Sequence, residues 1–408
     1  MIRHMKKILL MIALTVPVSC GPASPDAPKT VMETTLVREG VADPCLVFDD
    51  GLYYLTSTGG SRLVMVKDKS VAGLSNEAHP GSEAAVIYDS AGDPTVEQLY
   101  GEGAVINGCW SPEIHYFSEK EFPGNSGWYM YFGLRQKYSD QTGTSRNIRM
   151  VVLKSASGKV DGPYVSPVTG VVCQTQPVLG ADGNPIARWA VGPSVLRVPS
   201  GKYRGTYLMW VEETGRGEGY GKFYQKIMIS HFSSPWQLEG EPGIITTPTQ
   251  EWETHGANEK KPCVVEGATA VYGDRGEVFL TYCGSGYWSD YGIGQLTLKR
   301  KGRRFEDPLK TESWVKYDGN PVFSSVKSGD LRGAGHGFFV RSASGGRFIC
   351  YHAFPFENGE KINRRNAYLE PYSIDKSAAC PTAPDGVIRM GALGTGVTAP
   401  VKGTRIEF

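Results

Sequence analysis

Residues 261–286 read KPCVVEGATAVYGDRGEVFLTYCGSG. A lone carboxylate, Glu266, stands in an apolar run beside Gly267. Its neighbours are small or β-branched, which reads as a buried strand. The polar turn Gly273, Asp274, Arg275, Gly276 follows, then the strand-like Val278, Phe279, Leu280, Thr281, Tyr282. A carboxylate buried in such a strand is costly unless it is paired or put to use. Either an arginine satisfies it or it does chemistry. This stretch by itself leaves both open.

The same pattern occurs five times. Each unit has an apolar segment with a special residue near its start, a turn, and an aromatic strand. The first is VADPCLVFDDGLYYLTST from Val41, and the second is CWSPEIHYF from Cys109, completed by WYMYF from Trp128. The third is AVGPSVLRVPSGKYRGTYLMW from Ala190, the fourth holds Glu266, and the fifth is GAGHGFFVRSASGGRFICYHAF from Gly333. Aligning them places Asp43, Ser111, Gly192, Glu266 and His336 at equivalent positions. A period of about 70–80 residues suits four-stranded blades with long loops. The expectation is an all-β chain folded as a five-bladed β-propeller. Its first strands line the axis and bring these separated residues together. Residues 151–158, 226–234 and 293–301 alternate like third strands. Residues 364–375, RRNAYLEPYSID, read as a closing strand, and residues 383–402 as an extended tail. The Gly-rich 215–222 lacks the ending and helix of a phosphate loop.

Composition agrees. The 51 Gly, 26 Pro and 21 Tyr, without long amphipathic helical patterns, favour β structure. A net charge of +1 with no basic stripe argues against nucleic acid. Arg3, His4, Lys6 and Lys7 precede a short apolar run and then Val18-Ser19-Cys20, a secretory signal too short to span a membrane as a stable helix. Cys20 stands where a lipoprotein is lipidated, so residues 1–20 read as a lipoprotein signal, 21–34 as a tether and 35–408 as the propeller domain. The expected location is secreted, as an outer-membrane or surface lipoprotein or in the periplasm. The only membrane contact is then the lipid anchor, and the chain is a monomer. The other seven cysteines show no metal spacing, and no disulfide is assigned.

Together the units resemble the glycoside hydrolase family 43 propellers over nearly all of the mature chain. The resemblance rests on DP before GLYYL at Asp43, CWSPEIHYF around Trp110, VVEG at Glu266 and SGYWSDYGIG at Ser285. It continues through DP at Asp307, SWVKYDGNPVF at Ser313, and GAGHGFF and CYHAF at His336 and His352. It implies inverting hydrolysis of α-L-arabinofuranosyl or β-D-xylosyl linkages in plant polysaccharides. Two carboxylates about 6.5–9.5 Å apart then flank the sugar. Asp43 matches the general base and Glu266 the general acid, the latter needing a raised pKa.

One departure stands out. The family places an aspartate in unit three that raises the acid's pKa; here Gly192 has no side chain. Glu113, Glu212, Glu213 or Asp182 could substitute, Glu113 foremost. A catalytically altered propeller that binds glycans, or a hydrolase of another sugar such as a galactan, is the alternative. No cofactor is required, although the family resemblance allows a calcium ion near the axis, held through His336. Trp110, Tyr287 and Trp288 are candidates for stacking on sugar faces. Glu113, His336 and one of Arg364 and Arg365 are further candidates for substrate contact. His115 and His352 read as structural.

Overall fold

The computed structural model describes residues 35–390 apart from 81–83, 138–146, 325–330, 343–344, 358–359, 188, 220 and 289. The residues read above as signal and tether, and the end of the expected tail, lie outside the described residues.

Blade one runs from Cys45–Asp49 through Leu52–Thr56 and Arg62–Asp68 to Ala85–Asp89. Blade two starts at Ile106–Phe117, blade three at Ala190–Val198, blade four at Val265–Tyr272 and blade five at Leu331–Arg341. These are the innermost strands, each antiparallel to the next in its own blade.

Each sheet is sandwiched between two others, so alternate residues of one strand enter different cores. In blade three, Tyr207, Met209 and Val211 join the core shared with blade four, while Leu208 and Trp210 join that shared with blade two. In blade one, Tyr54 faces blade two and Tyr53 and Leu55 face blade five. Blades four and five share the fifth core, around Phe279, Ile349 and Tyr351. Burial on both faces explains why these strands read as continuous apolar runs.

The ring closes differently from expectation. Asn366–Asp375 is the third strand of blade five, not its closing strand. Thr35–Arg38 supplies the outermost strand, pairing Thr35 with Leu369 and Arg38 with Ala367. Further along the same strand Tyr372 pairs with Met390 and Asp375 with Val387. Part of the expected tail is therefore the strand Val387–Met390. Only partial pairing of each end with one strand leaves room for both, which alternation cannot reveal.

Blade four contains a buried ionic hub. Glu253 is fully buried and accepts from the backbone N–H groups of Thr249 (2.6 Å) and Gln250 (2.7 Å), the Tyr282 hydroxyl (2.6 Å) and Lys316 Nζ (2.6 Å). The segment around it also holds the loop leading to Trp288, through Gly286 N–H on the His255 carbonyl (3.0 Å) and Trp288 Nε1 on the Gly256 carbonyl (2.9 Å). Lys316→Met leaves a buried carboxylate without its cation. It is expected to cost about 3–5 kcal/mol in chemical denaturation. Adding Glu253→Gln is expected to return part of that loss.

Candidate active site

A left-handed residue marks the same place in all five blades. Asp43 (φ 52°), Ser111 (φ 50°), Gly192 (φ 62°), Gly267 (φ 58°) and His336 (φ 51°) are followed by Pro44, Pro112, Pro193, Ala268 and Gly337. In blades two to five this is where the strand pairing slips: between Trp110 and Glu113, Val191 and Ser194, Glu266 and Thr269, and on either side of Gly335. A bulge there re-aims the neighbouring side chains toward the axis. The alignment of Glu266 with the other four is therefore corrected by one residue. Gly267 occupies the equivalent position, and Glu266 corresponds to Trp110 and Val191. The Gly-Ala pair at Gly267 and Ala268 is the signal, matching Gly-Pro at Gly192 and Pro193.

The bulges line a cavity of about 450 Å³ whose wall includes Asp43, Trp110, Glu266, Tyr287, Trp288, His336 and Arg365. That is within the range of small-ligand sites. Of the residues expected there, two fall outside this wall. Glu113 is hydrogen-bonded through Oε2 to His115 Nε2 at 2.8 Å, past the bulge and outside the cavity wall. Arg364 is exposed and pairs with Glu39 at 3.0 Å. Arg365, just ahead of the strand Asn366–Asp375, lies inward instead, and its Nη1 reaches Asp43 Oδ1 at 3.3 Å.

Asp43 is set up to stay ionised. Thr58 donates its hydroxyl to Oδ2 at 2.5 Å, and Thr58 Oγ1 in turn accepts the Ser111 N–H at 2.8 Å. His336 Nδ1 lies 3.5 Å from Oδ1. Burial by itself would push this carboxyl up, but His336 and Arg365 outweigh it and hold it well below the usual carboxylate range. His352, expected to be structural, stands directly behind. Its Nδ1 accepts the Asp43 N–H at 3.0 Å, and burial and Arg365 push the ring down to about 4, so it is neutral.

Glu266 is shifted the opposite way. Its Oε2 accepts from Gln225 Nε2 at 3.0 Å and its Oε1 from the Tyr291 hydroxyl at 3.0 Å. Burial raises its pKa, and the charge of Asp43 adds to the rise. Gly192 brings no carboxylate to this pair. Of the four acids that could substitute, Glu212 pairs with Lys226 (3.3 Å), and Asp182 bonds Asn184 in an exposed turn. Glu213 alone reaches the cavity wall, paired with Arg216. A Cβ at Gly192 would meet Val211 Cγ2 at 3.8 Å and Gly267 N at 3.9 Å, ordinary contacts. Space does not demand glycine there, and Asp43, Ser111 and His336 show that side chains adopt this conformation.

The three aromatic candidates each carry a cation on a ring face. Arg135 lies 4.8 Å from the Trp110 centroid, Arg365 5.0 Å from Tyr287 and Lys261 4.6 Å from Trp288. Among the described residues no three His, Cys, Asp or Glu converge as metal ligands. Two carboxylates face His336, Asp43 engaged by Arg365 and Thr58 and Glu266 engaged by Gln225 and Tyr291, and these side chains by themselves do not make the oxygen cage calcium takes.

Thr58, Arg135, Gln225 and Tyr291 belong to the site without having been singled out from the sequence. Thr58 ends the motif LYYLTST, and Tyr291 sits within SGYWSDYGIG. Gln225 carries no local signal.

Comparison with known proteins agrees with this fold. The chain is 25% identical over 371 residues to an extracellular exo-α-(1→5)-L-arabinofuranosidase of Streptomyces avermitilis, covering 90% of this chain and 66% of that protein. It is 24% identical over 351 residues to α-L-arabinofuranosidase B of Pyricularia oryzae, covering 83% and 59%. The chain thus spans about two thirds or less of the length of these relatives. The crystal structure of an α-L-arabinofuranosidase from Lactobacillus brevis superposes with a TM-score of 0.63 at 22% identity, over 92% of this chain and 98% of that one. Residues 33–377 match the family described as Glycosyl hydrolases family 43. With the five blades and the match running through nearly every one of their strands, the chain belongs to the family 43 glycosyl hydrolases.

Proposed function

We propose that this protein is an inverting glycosidase that releases α-L-arabinofuranosyl units from plant polysaccharides or their oligosaccharides. One observation carries the reading. Two carboxylates share a cavity, and their surroundings push Asp43 down and Glu266 up. Such a split assigns a base and an acid. Asp43, ionised, takes a proton from a water that attacks the anomeric carbon. Glu266, protonated, delivers its proton to the leaving oxygen from the opposite side. The C–O bond breaks as the water bond forms, and the configuration inverts. Arg365 and His336 fix Asp43, and the free faces of Trp110, Tyr287 and Trp288 offer apolar surface to sugar C–H groups. A glycan-binding protein would have no use for the split. The relatives' names favour arabinofuranosides over xylosides. We also propose export, with Cys20 as a lipid anchor.

The purified chain from Gly21 is to be given aryl α-L-arabinofuranoside, aryl β-D-xyloside and arabino-oligosaccharides, with the product's anomer followed by NMR. Release of inverted arabinose is the expected result. Retained configuration, or no release from any of these substrates, overturns the reading. The pH profile of kcat/KM is expected to be bell-shaped and broad. Activity needs Asp43 ionised, so the acidic limb falls below the ordinary aspartate value. Activity also needs Glu266 protonated, so the alkaline limb falls above the ordinary glutamate value.

A further inference from the structure

As bonded above, neither neighbour of Glu266 accepts its proton, and the Tyr291 hydroxyl does so only by turning its own proton away. Gln225 Nε2 and the Tyr291 hydroxyl each donate to one of its oxygens. Two donors on two oxygens suit a carboxylate. A carboxylic acid carries one O–H and needs a lone pair to receive it. Gln225 has the complementary defect. It is 4% exposed, and its Oε1 is buried with no hydrogen-bond partner among the described residues.

Both defects have one remedy. The two ends of a primary amide are nearly the same size, and a half-turn about the last side-chain torsion exchanges them. Turned, Oε1 faces Glu266 Oε2 and accepts its proton, while Tyr291 still donates to Oε1. An acceptor for the displaced Nε2 stands on the same cavity wall. Glu213 is the direct cross-strand partner of Gln225, so both side chains leave the sheet on one face.

We propose that Gln225 is a positioning residue whose amide, so turned, accepts the proton of Glu266 and holds the acid in its protonated state until it is delivered. This rests on the hydrolase reading above. It takes over the task of the side chain that Gly192 lacks. A carboxylate at that place would hold the proton by repulsion; an amide holds it by a hydrogen bond and adds no charge beside Asp43.

Other groups also face Glu266. Asp43 stands across the cavity on blade one, His336 on blade five, and Cys283 and Tyr291 on its own blade. Glu213 and Arg365 sit further round the wall, and Lys260 and Lys261 join them there. All are unchanged in the test, which alters Gln225 alone.

The test is the alkaline limb of kcat/KM in Gln225→Met, which keeps the chain length and removes the amide. Loss of an acceptor weakens the protonated form, so the limb is expected to move to lower pH by about one unit. Loss of a donor would move it to higher pH. The apolar replacement also pushes it upward, so a downward shift has no other source at this position. A limb that stays or rises overturns the proposal. Gln225→Glu, of equal size, is expected to restore or raise the limb through an accepting oxygen and like charge. The carbonyl stretch of protonated Glu266, isolated by infrared difference against Glu266→Gln, reads the same titration without turnover. If no furanoside is cleaved yet this band titrates lower in Gln225→Met, the hydrolase reading fails and the amide's role stands. If cleavage occurs and the band does not move down, the reverse holds.

Discussion

Glu266→Ala is expected to lower kcat on arabino-oligosaccharides by roughly 10²–10⁴-fold, the usual worth of a positioned general acid. The size of the loss depends on the leaving group. A sugar hydroxyl departs as a poor leaving group and needs the proton as the bond breaks. A nitrophenolate departs well without it. The same variant is therefore expected to keep most of its activity on the nitrophenyl arabinofuranoside. Its alkaline limb disappears on that substrate, because the group that titrated there is gone. Equal loss on both substrates would mean that Glu266 does not deliver the proton.

Asp43→Asn gives the opposite pattern. Water must be activated whatever the leaving group, so a loss of roughly 10²–10⁴-fold is expected on both substrates. Asparagine keeps the size and the left-handed conformation that this position requires. The backbone N–H bonded to His352 is untouched. The loss is thus expected in kcat with little change in thermal stability. Removing this carboxylate also withdraws the charge that helps raise the pKa of Glu266. Whatever activity remains is expected to show its alkaline limb at lower pH. A loss confined to poor leaving groups would exchange the roles of the two acids.

The fold was readable because each blade is buried on both faces. That leaves every strand an apolar run with a turn and an aromatic partner, repeated five times. The two carboxylates were readable for a related reason: a charge stands out in an apolar strand. The one-residue error at Glu266 came from aligning the chemistry rather than the backbone. Side chains differ among the blades, whereas the left-handed bend and the small residue after it recur. Arg365 could not be told from Arg364 until the pairing of blade five was known. Gln225 was not legible at all. It lies on the third strand of blade three, and only the register opposite Glu213 and the approach to Glu266 give it meaning. The closure by Thr35–Arg38 was hidden for the same reason, since its partner lies more than three hundred residues away.

The five left-handed bends have a consequence for how such a protein changes over time. The bend is a property of the backbone, and Asp, Ser, Gly, Gly and His occupy it in the five blades. None of the five bend residues belongs to an apolar core, although Val191 and Ala268 directly beside two of them do. Stability and chemistry are thus written in different residues of the same strands. A residue at the bend can be exchanged without disturbing the cores, so long as it tolerates the conformation. The bare Gly192 is what such freedom permits: one bend carries no side chain at all, and the ring keeps its shape.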